Sequence, residues 1–181
     1  MNIRRADVSE IARIGEIDRT ESVEVEFLCR LAQDGRSIEM VEQRLEPPKI
    51  TTDWDDEGVR RRAAWWTREV EEGGVMFVAE LDAKLIGIAI LGPPKPGKCA
   101  EIVSMFVDTQ HRGNGLGKQL IQRLEDEGRA RGIESIYVGS NENANALGFY
   151  QSVGYRIVCL MDSSTMWIPG LETRIVLAKG L

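Results

Sequence analysis

An apolar run that ends in a glycine-rich turn constrains the fold of this chain more than any other feature. Residues 102–107 read Ile-Val-Ser-Met-Phe-Val, and Gly113, Gly115 and Gly117 follow at alternate positions. Beyond the turn, apolar residues recur at the spacing of a helix, at Leu116, Leu120, Ile121 and Leu124. The pattern predicts a buried strand, a tight turn and the start of an amphipathic helix.

A turn of this kind suits an anion such as a phosphate. The first N–H groups of a helix have no partner within the helix, and the helix dipole makes that end electropositive. Glycine lets the backbone approach a ligand closely, while Arg112 and Lys118 add positive charge at either end of the turn. The segment lacks the ending of a nucleoside-triphosphate loop and the glycine spacing of a dinucleotide fingerprint. From these residues alone, a phosphate site and a flexible turn that merely starts a helix both remain open.

Length, charge and composition predict one globular domain. The chain has 181 residues, 43% of them apolar, and a formal net charge of −6. The negative charge argues against broad nucleic-acid binding, because a phosphate backbone would be repelled. No apolar stretch is long enough to cross a membrane, and Asp7 and Glu10 lie where a signal peptide would be apolar. We therefore expect a cytoplasmic protein that binds neither nucleic acid nor membrane.

Cysteine and histidine content limits the chemistry. Cys29, Cys99 and Cys159 are widely spaced, with no Cys-x-x-Cys pair, and we expect buried or idle thiols in a reducing compartment. His111 is the one histidine of the chain, so neither a His-rich metal site nor a Ser-His-Asp arrangement can be built away from the turn. We expect no metal.

Periodicity along the rest of the chain predicts a mixed sheet with helices on both faces. The predicted strands are 2–5, 75–81, 85–91, 101–107, 135–139, 155–161 and 172–178, of which the last two form an antiparallel pair. The predicted helices start at a capping box formed by Asp7 and Glu10, at Gly115 and at Ala144. Residues 21–71 are predicted to be mostly helical and polar, with an interruption at Pro47-Pro48.

Two motifs give the glycine turn a more specific meaning. The first is Arg112-x-x-Gly115-x-Gly117, which also fits in the register Gln110-x-x-Gly113-x-Gly115, after a strand that begins Ala100-Glu101-Ile102. The second, Asn143-x-x-Ala146-x-x-Phe149-Tyr150, runs into Gly154-Tyr155. In this order and spacing they resemble the GNAT superfamily of acyl-CoA-dependent N-acyltransferases. One departure is Thr109, where members commonly carry proline, and it removes no functional group.

The resemblance implies a fold and a domain plan. It implies an α/β fold in a single GNAT-type domain over residues 1–181, with a mixed central sheet of about six to seven strands flanked by about four helices. Residues 1–74 would shape the acceptor site, residues 75–160 would form the acetyl-CoA-binding core, and residues 161–181 would supply a closing strand.

The resemblance also implies how acetyl-CoA, the cosubstrate, would bind. Main-chain groups of Met105, Phe106 and Val107 would pair with the pantetheine arm. Asn143 would hydrogen-bond the same arm, or cap the helix that follows it, or both. The coenzyme diphosphate would lie on the turn formed by Arg112, Gly113, Asn114, Gly115, Leu116, Gly117 and Lys118.

Two side chains match catalytic positions of the family. Tyr150 would lie near the thioester sulfur and donate a proton to the departing thiolate; the alternative is a core tyrosine that only packs its ring. An alkyl ammonium, with a pKa of about 10, must lose a proton before it attacks. Glu101 would accept that proton directly or through water; the alternative is a glutamate at the sheet edge that faces solvent.

The acceptor is a hypothesis drawn from acidic and aromatic residues in the variable region. Carboxylates beside aromatic rings attract ammonium groups, so we expect a small cationic amine; a solvated acidic face with core tryptophans is the alternative. A protein lysine or N-terminal acetyltransferase and a noncatalytic acyl-CoA-binding module remain open, and a homodimer is a candidate assembly. The residues concerned are Glu21, Glu24, Glu26, Asp53, Asp55, Asp56, Trp54, Trp65, Trp66 and Trp167.

Overall fold

The computed structural model describes residues 1–51, 56–140, 142–161 and 175–181. The chain divides into two compact units, which are described one at a time. Residues 1–21, 51–136 and 180–181 belong to the first unit, and residues 22–50 and 137–179 to the second.

The predicted α/β fold is confirmed. The strands are β1 (Asn2–Arg5), β2 (Glu21–Leu31), β3 (Ile38–Thr51), β4 (Val75–Leu81), β5 (Lys84–Leu91), β6 (Cys99–Val107), β7 (Ser135–Ser140), β8 (Arg156–Leu160) and β9 (Ile175–Gly180). Seven of them form one sheet in the order β1-β4-β5-β6-β7-β9-β8, and β2 pairs with β3 in a separate two-stranded sheet. The helices are a 3-10 helix (Val8–Glu16), α1 (Asp56–Glu71), α2 (Leu116–Ala130) and α3 (Ala144–Ser152), with one further 3-10 turn at Thr109–His111.

Strand β4 pairs antiparallel with β1 and with β5, and β5 pairs antiparallel with β6. Val78 of β4 pairs with Arg4 on one side and with Ile88 of β5 on the other. The register of β5 against β6 shifts by one residue, because Ile90 lies opposite Ser104 whereas Leu91 lies opposite Ile102. A bulge of this kind bends the strand and changes the direction of the side chains beyond it.

One face of this part of the sheet is covered by the 3-10 helix and by α1. Ile11, Ile14 and Trp66 pack there against Ile88 and Ile90, all of them buried. The predicted capping box is present: the Asp7 carboxylate accepts from an N–H of the first turn, and the Glu10 carboxylate accepts from the Asp7 N–H. The cap fixes where the helix begins, and the isoleucines attach it to the sheet.

Helix α2 covers the opposite face, since Gly87 precedes Ile88 in β5 and neighbouring residues of a strand point to opposite sides. A Cβ at Gly87 would lie 3.1 Å from the Leu120 Cδ1 and 3.4 Å from the Ala79 Cβ. A methyl group there would be crowded. The missing side chain therefore lets α2 lie close against the sheet.

The prediction that residues 21–71 are mostly helical is wrong. Among the described residues of this segment, only Asp56–Glu71 is helical. Glu21–Leu31 and Ile38–Thr51 are strands, and Pro47-Pro48 lies within the second strand. In β2, apolar and charged residues alternate, as in Val23-Glu24-Val25-Glu26-Phe27, which is the period of a strand. Strand β3 is exposed along most of its length, and its pairing with β2, which the sequence does not reveal, makes it a strand.

In the second unit, β2 also contacts the segment that precedes α3. The Phe27 N–H donates to the Glu142 oxygen at 2.7 Å, and Glu26 forms an isolated bridge with Asn143. The predicted closing pair is confirmed, since Arg156 of β8 pairs antiparallel with Ala178 of β9. The segment between these two strands, residues 162–174, lies outside the described residues.

Candidate active site

The glycine turn has the backbone that the sequence predicts. Gly113 and Gly115 adopt positive φ values of 76° and 77°, which residues with side chains rarely take. A Cβ built at either glycine meets no heavy atom within 4 Å. The turn therefore presents its main chain to open space.

The start of α2 leaves N–H groups available to a ligand. Gly115 is the N-cap, and it carries no side chain to cap the helix. The first bond within the helix runs from the Gln119 N–H to the Gly115 oxygen, at 3.1 Å. The N–H groups of Leu116, Gly117 and Lys118 precede that bond and point out of the helix end. Together with the open glycines, they make a cradle that fits a diphosphate.

A buried carboxylate that sequence reasoning missed supports the base of the turn. Asp108 is 1% exposed, and its carboxylate accepts from the Asp18 N–H, the Gln110 N–H and the Lys84 ammonium, at 3.0–3.1 Å. Burial opposes ionisation, but these hydrogen bonds outweigh it and lower the pKa of Asp108. The only sequence signal is an aspartate directly after a strand, a common place for capping.

The Arg112 side chain is directed at protein carbonyls. Its Nε donates to the Val107 oxygen at 3.0 Å. Its two terminal nitrogens donate to the oxygens of Arg19 at 3.0 Å and Thr20 at 3.3 Å, and one lies 3.5 Å from the Glu21 carboxylate. Lys118, at the other end of the turn, is exposed.

Strand β6 contains the proposed base, Glu101, and the three residues proposed to pair with the pantetheine arm. Glu101 is half-buried, and its carboxylate accepts from the Lys95 ammonium at 2.8 Å. The Lys95 partner has no signal in the sequence beyond its place in the loop after β5. Further along β6, Met105, Phe106 and Val107 pair through one edge with Ala89, Ile88 and Gly87.

In the second unit, Asn143 and Tyr150 mark the start and the buried side of α3. Asn143 is 6% exposed, and its side-chain oxygen accepts from the Asn145 N–H at 2.8 Å, so it is the N-cap. Tyr150 is 8% exposed, and its ring lies against those of Phe149 and Tyr155, with centroids 5.2 and 5.8 Å away. Burial raises the pKa of the Tyr150 phenol, so it holds its proton at any pH at which an ordinary tyrosine does.

The acidic residues proposed to attract an amine are partly occupied by cations of the chain itself. Glu21 lies beside Arg112, and Glu26 pairs with Lys49 at 2.8 Å. Glu24 is exposed. The side chains of Asp53, Asp55, Asp56, Trp54 and Trp167 lie outside the described residues.

The two described tryptophans differ. Trp66 is 1% exposed and belongs to the core, as the alternative reading of the tryptophans expects. Trp65 is 37% exposed, and its indole N–H donates to the Glu69 carboxylate at 3.0 Å.

Other predicted sites have these outcomes. The Cys29 side chain is buried, that of Cys99 is half-buried and that of Cys159 is exposed. Within the described ranges, no three His, Cys, Asp or Glu side chains come together as a metal site requires. No helix among the described residues is long and apolar enough to span a membrane.

The fold resembles that of a known acetyltransferase. The structure of nourseothricin acetyltransferase is similar with a TM-score of 0.78 and 18% sequence identity, over 99% of this chain and 97% of that one. At this identity the similarity shows the fold alone.

The sequence shows the family. Residues 38–155 match the acetyltransferase (GNAT) family, and the chain belongs to that family, as its two motifs predict. It is 29% identical to the L-amino acid N-acyltransferase MnaT of Escherichia coli over 114 residues, which are 60% of this chain and 66% of that protein. It is 30% identical to human N-acetyltransferase 8B over 91 residues, 48% of this chain and 40% of that protein. The matches thus span less than two thirds of the length of these relatives.

Proposed function

We propose that this protein transfers the acetyl group of acetyl-CoA to a primary amine, by direct attack of the amine nitrogen on the thioester carbonyl. The observation that carries the proposal is the start of α2. It presents uncapped N–H groups beside two glycines with positive φ that open onto free space. In a chain of this family, such a cradle would hold the coenzyme diphosphate.

The remaining coenzyme contacts would come from main-chain and amide groups. Main-chain groups of Met105, Phe106 and Val107 would pair with the pantetheine arm as a strand would, and one of their N–H groups would face the developing oxyanion. The Asn143 side-chain oxygen caps α3, and the same amide would also hydrogen-bond the arm.

Glu101 would prepare the acceptor. Its carboxylate takes a proton from the ammonium group, directly or through one water, and leaves the nitrogen lone pair free to attack. The Lys95 ammonium is already bound to that carboxylate at 2.8 Å, which supports the proposal that Glu101 receives a cation there. The acceptor ammonium would take the place of Lys95.

Tyr150 would complete the reaction. Attack forms the C–N bond and a tetrahedral adduct, and the C–S bond breaks as the adduct collapses. The phenol donates its proton to the sulfur, and coenzyme A leaves as a thiol. The nitrogen of the adduct gives up its remaining excess proton, and the phenolate regains one, with water as the carrier. Burial raises the pKa of Tyr150, which keeps the phenol protonated until the thiolate departs. The same shift makes it a weaker acid, so its contribution to the rate is modest.

For the acceptor, we propose a small amine. An amino-acid N-acyltransferase among the relatives supports a small acceptor, and the exposed Glu24 carboxylate favours a cationic one. The ion pairs of Glu21 with Arg112 and of Glu26 with Lys49 reduce the negative charge that an ammonium would meet.

The test has two stages. Calorimetry with coenzyme A measures binding, and a thiol assay then follows coenzyme A release from acetyl-CoA with a polyamine, nourseothricin, L-methionine, a lysine peptide and a peptide with a free N-terminus. We expect binding, with the fastest turnover on a small amine. Fastest turnover on a peptide would indicate a protein acetyltransferase. Binding without turnover on any amine would indicate a noncatalytic module, and absence of binding would contradict the proposal altogether.

A further inference from the structure

Arg112 belongs to the motif that resembles a coenzyme cradle, yet its guanidinium is engaged elsewhere. Its Nε and both terminal nitrogens donate to main-chain oxygens, of Val107, Arg19 and Thr20. Main-chain oxygens that are withdrawn from water need such donors, and an unpaired one is costly. To reach a diphosphate, the side chain would have to abandon all three.

We infer that Arg112 is a positioning residue: it fastens the segment Asp18–Glu21 to the end of β6 and does not grip the coenzyme. The inference rests on the proposed function for the role of the turn. A guanidinium suits the task, since its planar fork of donors can serve several oxygens at once, which the single ammonium of a lysine cannot do.

Other bonds define the same junction independently. The Thr109 N–H donates to the Asp18 oxygen at 2.8 Å, and the Thr109 hydroxyl donates to the Thr20 oxygen. The Asp18 N–H donates to the buried Asp108 carboxylate at 3.1 Å. The segment is therefore joined to the turn in a fixed register. The hydrogen bonds of Arg112 add to this junction.

The junction positions a cation beside the strand proposed for the pantetheine arm. The Arg19 guanidinium lies over the Phe106 ring, 4.8 Å from its centroid, and Phe106 packs against the core cluster on the face covered by the 3-10 helix and α1. Arg112 bonds the main-chain oxygen of Arg19 itself. Release of that bond would let Arg19 shift, and Arg19 belongs to residues 1–74, which the family resemblance implies shape the acceptor site.

Lys118 offers a matched comparison, because it is the other cation of the motif. It is exposed, and no hydrogen bond or ion pair of its side chain occurs within the part of the chain that the structure describes. If the motif holds the diphosphate through charge as well as through main-chain N–H groups, Lys118 supplies that charge. Substitution of Lys118 should then change the affinity for coenzyme A, whereas substitution of Arg112 should change the KM for the amine.

The experiment compares Arg112→Gln, Arg112→Lys and Lys118→Gln in the full chain. Calorimetry gives the Kd for coenzyme A. Steady-state kinetics, with the amine of the panel that is turned over fastest, gives the KM for acetyl-CoA and the KM for the amine. Hydrogen exchange reports on residues 18–21. For Lys118→Gln, we expect the coenzyme A Kd to rise about fivefold, the effect of one exposed charge contact, with unchanged exchange at 18–21.

For both Arg112 variants, we expect the coenzyme A Kd to stay within about twofold, while exchange at residues 18–21 speeds up about fivefold or more and the amine KM rises by a similar factor. The lysine variant should not rescue either quantity, although it keeps the charge. An Arg112→Gln protein that loses coenzyme A affinity as Lys118→Gln does, with exchange at 18–21 unchanged, would overturn the inference. If the unaltered protein binds no coenzyme A, the proposed function fails instead, and the exchange result still decides whether Arg112 closes the junction.

Discussion

Replacement of Tyr150 by phenylalanine tests the proposed proton donor with little structural disturbance. The substitution removes one hydroxyl and keeps the ring against Phe149 and Tyr155. General acid catalysis contributes about 10² to 10⁴ in rate. Because a thiol with a pKa of about 8.5 leaves fairly well unaided, we expect the lower end, a fall of about 10² in kcat. That factor corresponds to about 2.7 kcal/mol of activation free energy.

Tyr155 supplies the control. It is 1% exposed, against 8% for Tyr150, and lies in the same unit of the chain. Tyr155→Phe should change kcat by no more than about twofold, since the position has no proposed part in the chemistry, while both variants should bind coenzyme A as the unaltered protein does. Equal losses of kcat in the two variants, or a Tyr150→Phe enzyme with kcat within about threefold of normal, would refute the assigned role.

The pH dependence provides a second measurement on the same protein. Burial raises the pKa of Tyr150, so the native state retains this proton above about pH 10, where the unfolded state releases it. The native state therefore loses stability as the pH rises past that value, by as much as about 1.4 kcal/mol per pH unit. Urea unfolding between pH 9 and 11 should show a shallower decline for Tyr150→Phe. The activity of the unaltered enzyme should show no loss from this group below about pH 10.

Three further substitutions test the turn, its base and the proposed catalytic base. Gly115→Ala should destabilise the protein by about 1 kcal/mol through its positive φ and raise the coenzyme A Kd, and calorimetry that shows an unchanged Kd would count against the cradle. Asp108→Asn should cost about 1.5–3 kcal/mol at pH 7. Because the pKa of Asp108 is lowered, that difference should shrink in urea unfolding below about pH 4. Lys95→Met removes a partly exposed ion pair with Glu101 worth about 0.2–1 kcal/mol. The amine KM should then fall, by up to about fivefold, and a rise would contradict displacement of Lys95 by the acceptor.

The sheet core and α2 were predictable because their signals are local. Strands β4 and β5 are apolar runs bounded by glycine and proline, and α2 follows a glycine turn with apolar residues at helical spacing. The prediction for residues 21–51 is wrong because the interactions that decide their structure are not local. Its charge density resembles a solvated helix, and β3, exposed along most of its length, becomes a strand only through its partner.

The candidate site divides in the same way. The turn and the motif residues are visible in the sequence, because glycines and their spacing are local properties. The hydrogen-bond partners of the site residues are not visible in the sequence. Asp18 and Asp108 are 90 residues apart, and Lys95 reaches Glu101 because of the conformation of the loop between β5 and β6. The charge of Arg112 suggested a ligand contact, whereas the fold assigns that side chain to carbonyls contributed by a distant segment.

The glycine at position 87 has an effect beyond its own strand. Leu120, which rests on it, is one helical turn after Leu116, where α2 begins. A side chain at Gly87 would push the helix outward by a few tenths of an ångström, and the amide groups at its tip would move with it. The affinity of the helix start for an anion thus depends on how closely α2 packs against the sheet. A mutation at Gly87, which contacts no ligand, can still alter that affinity.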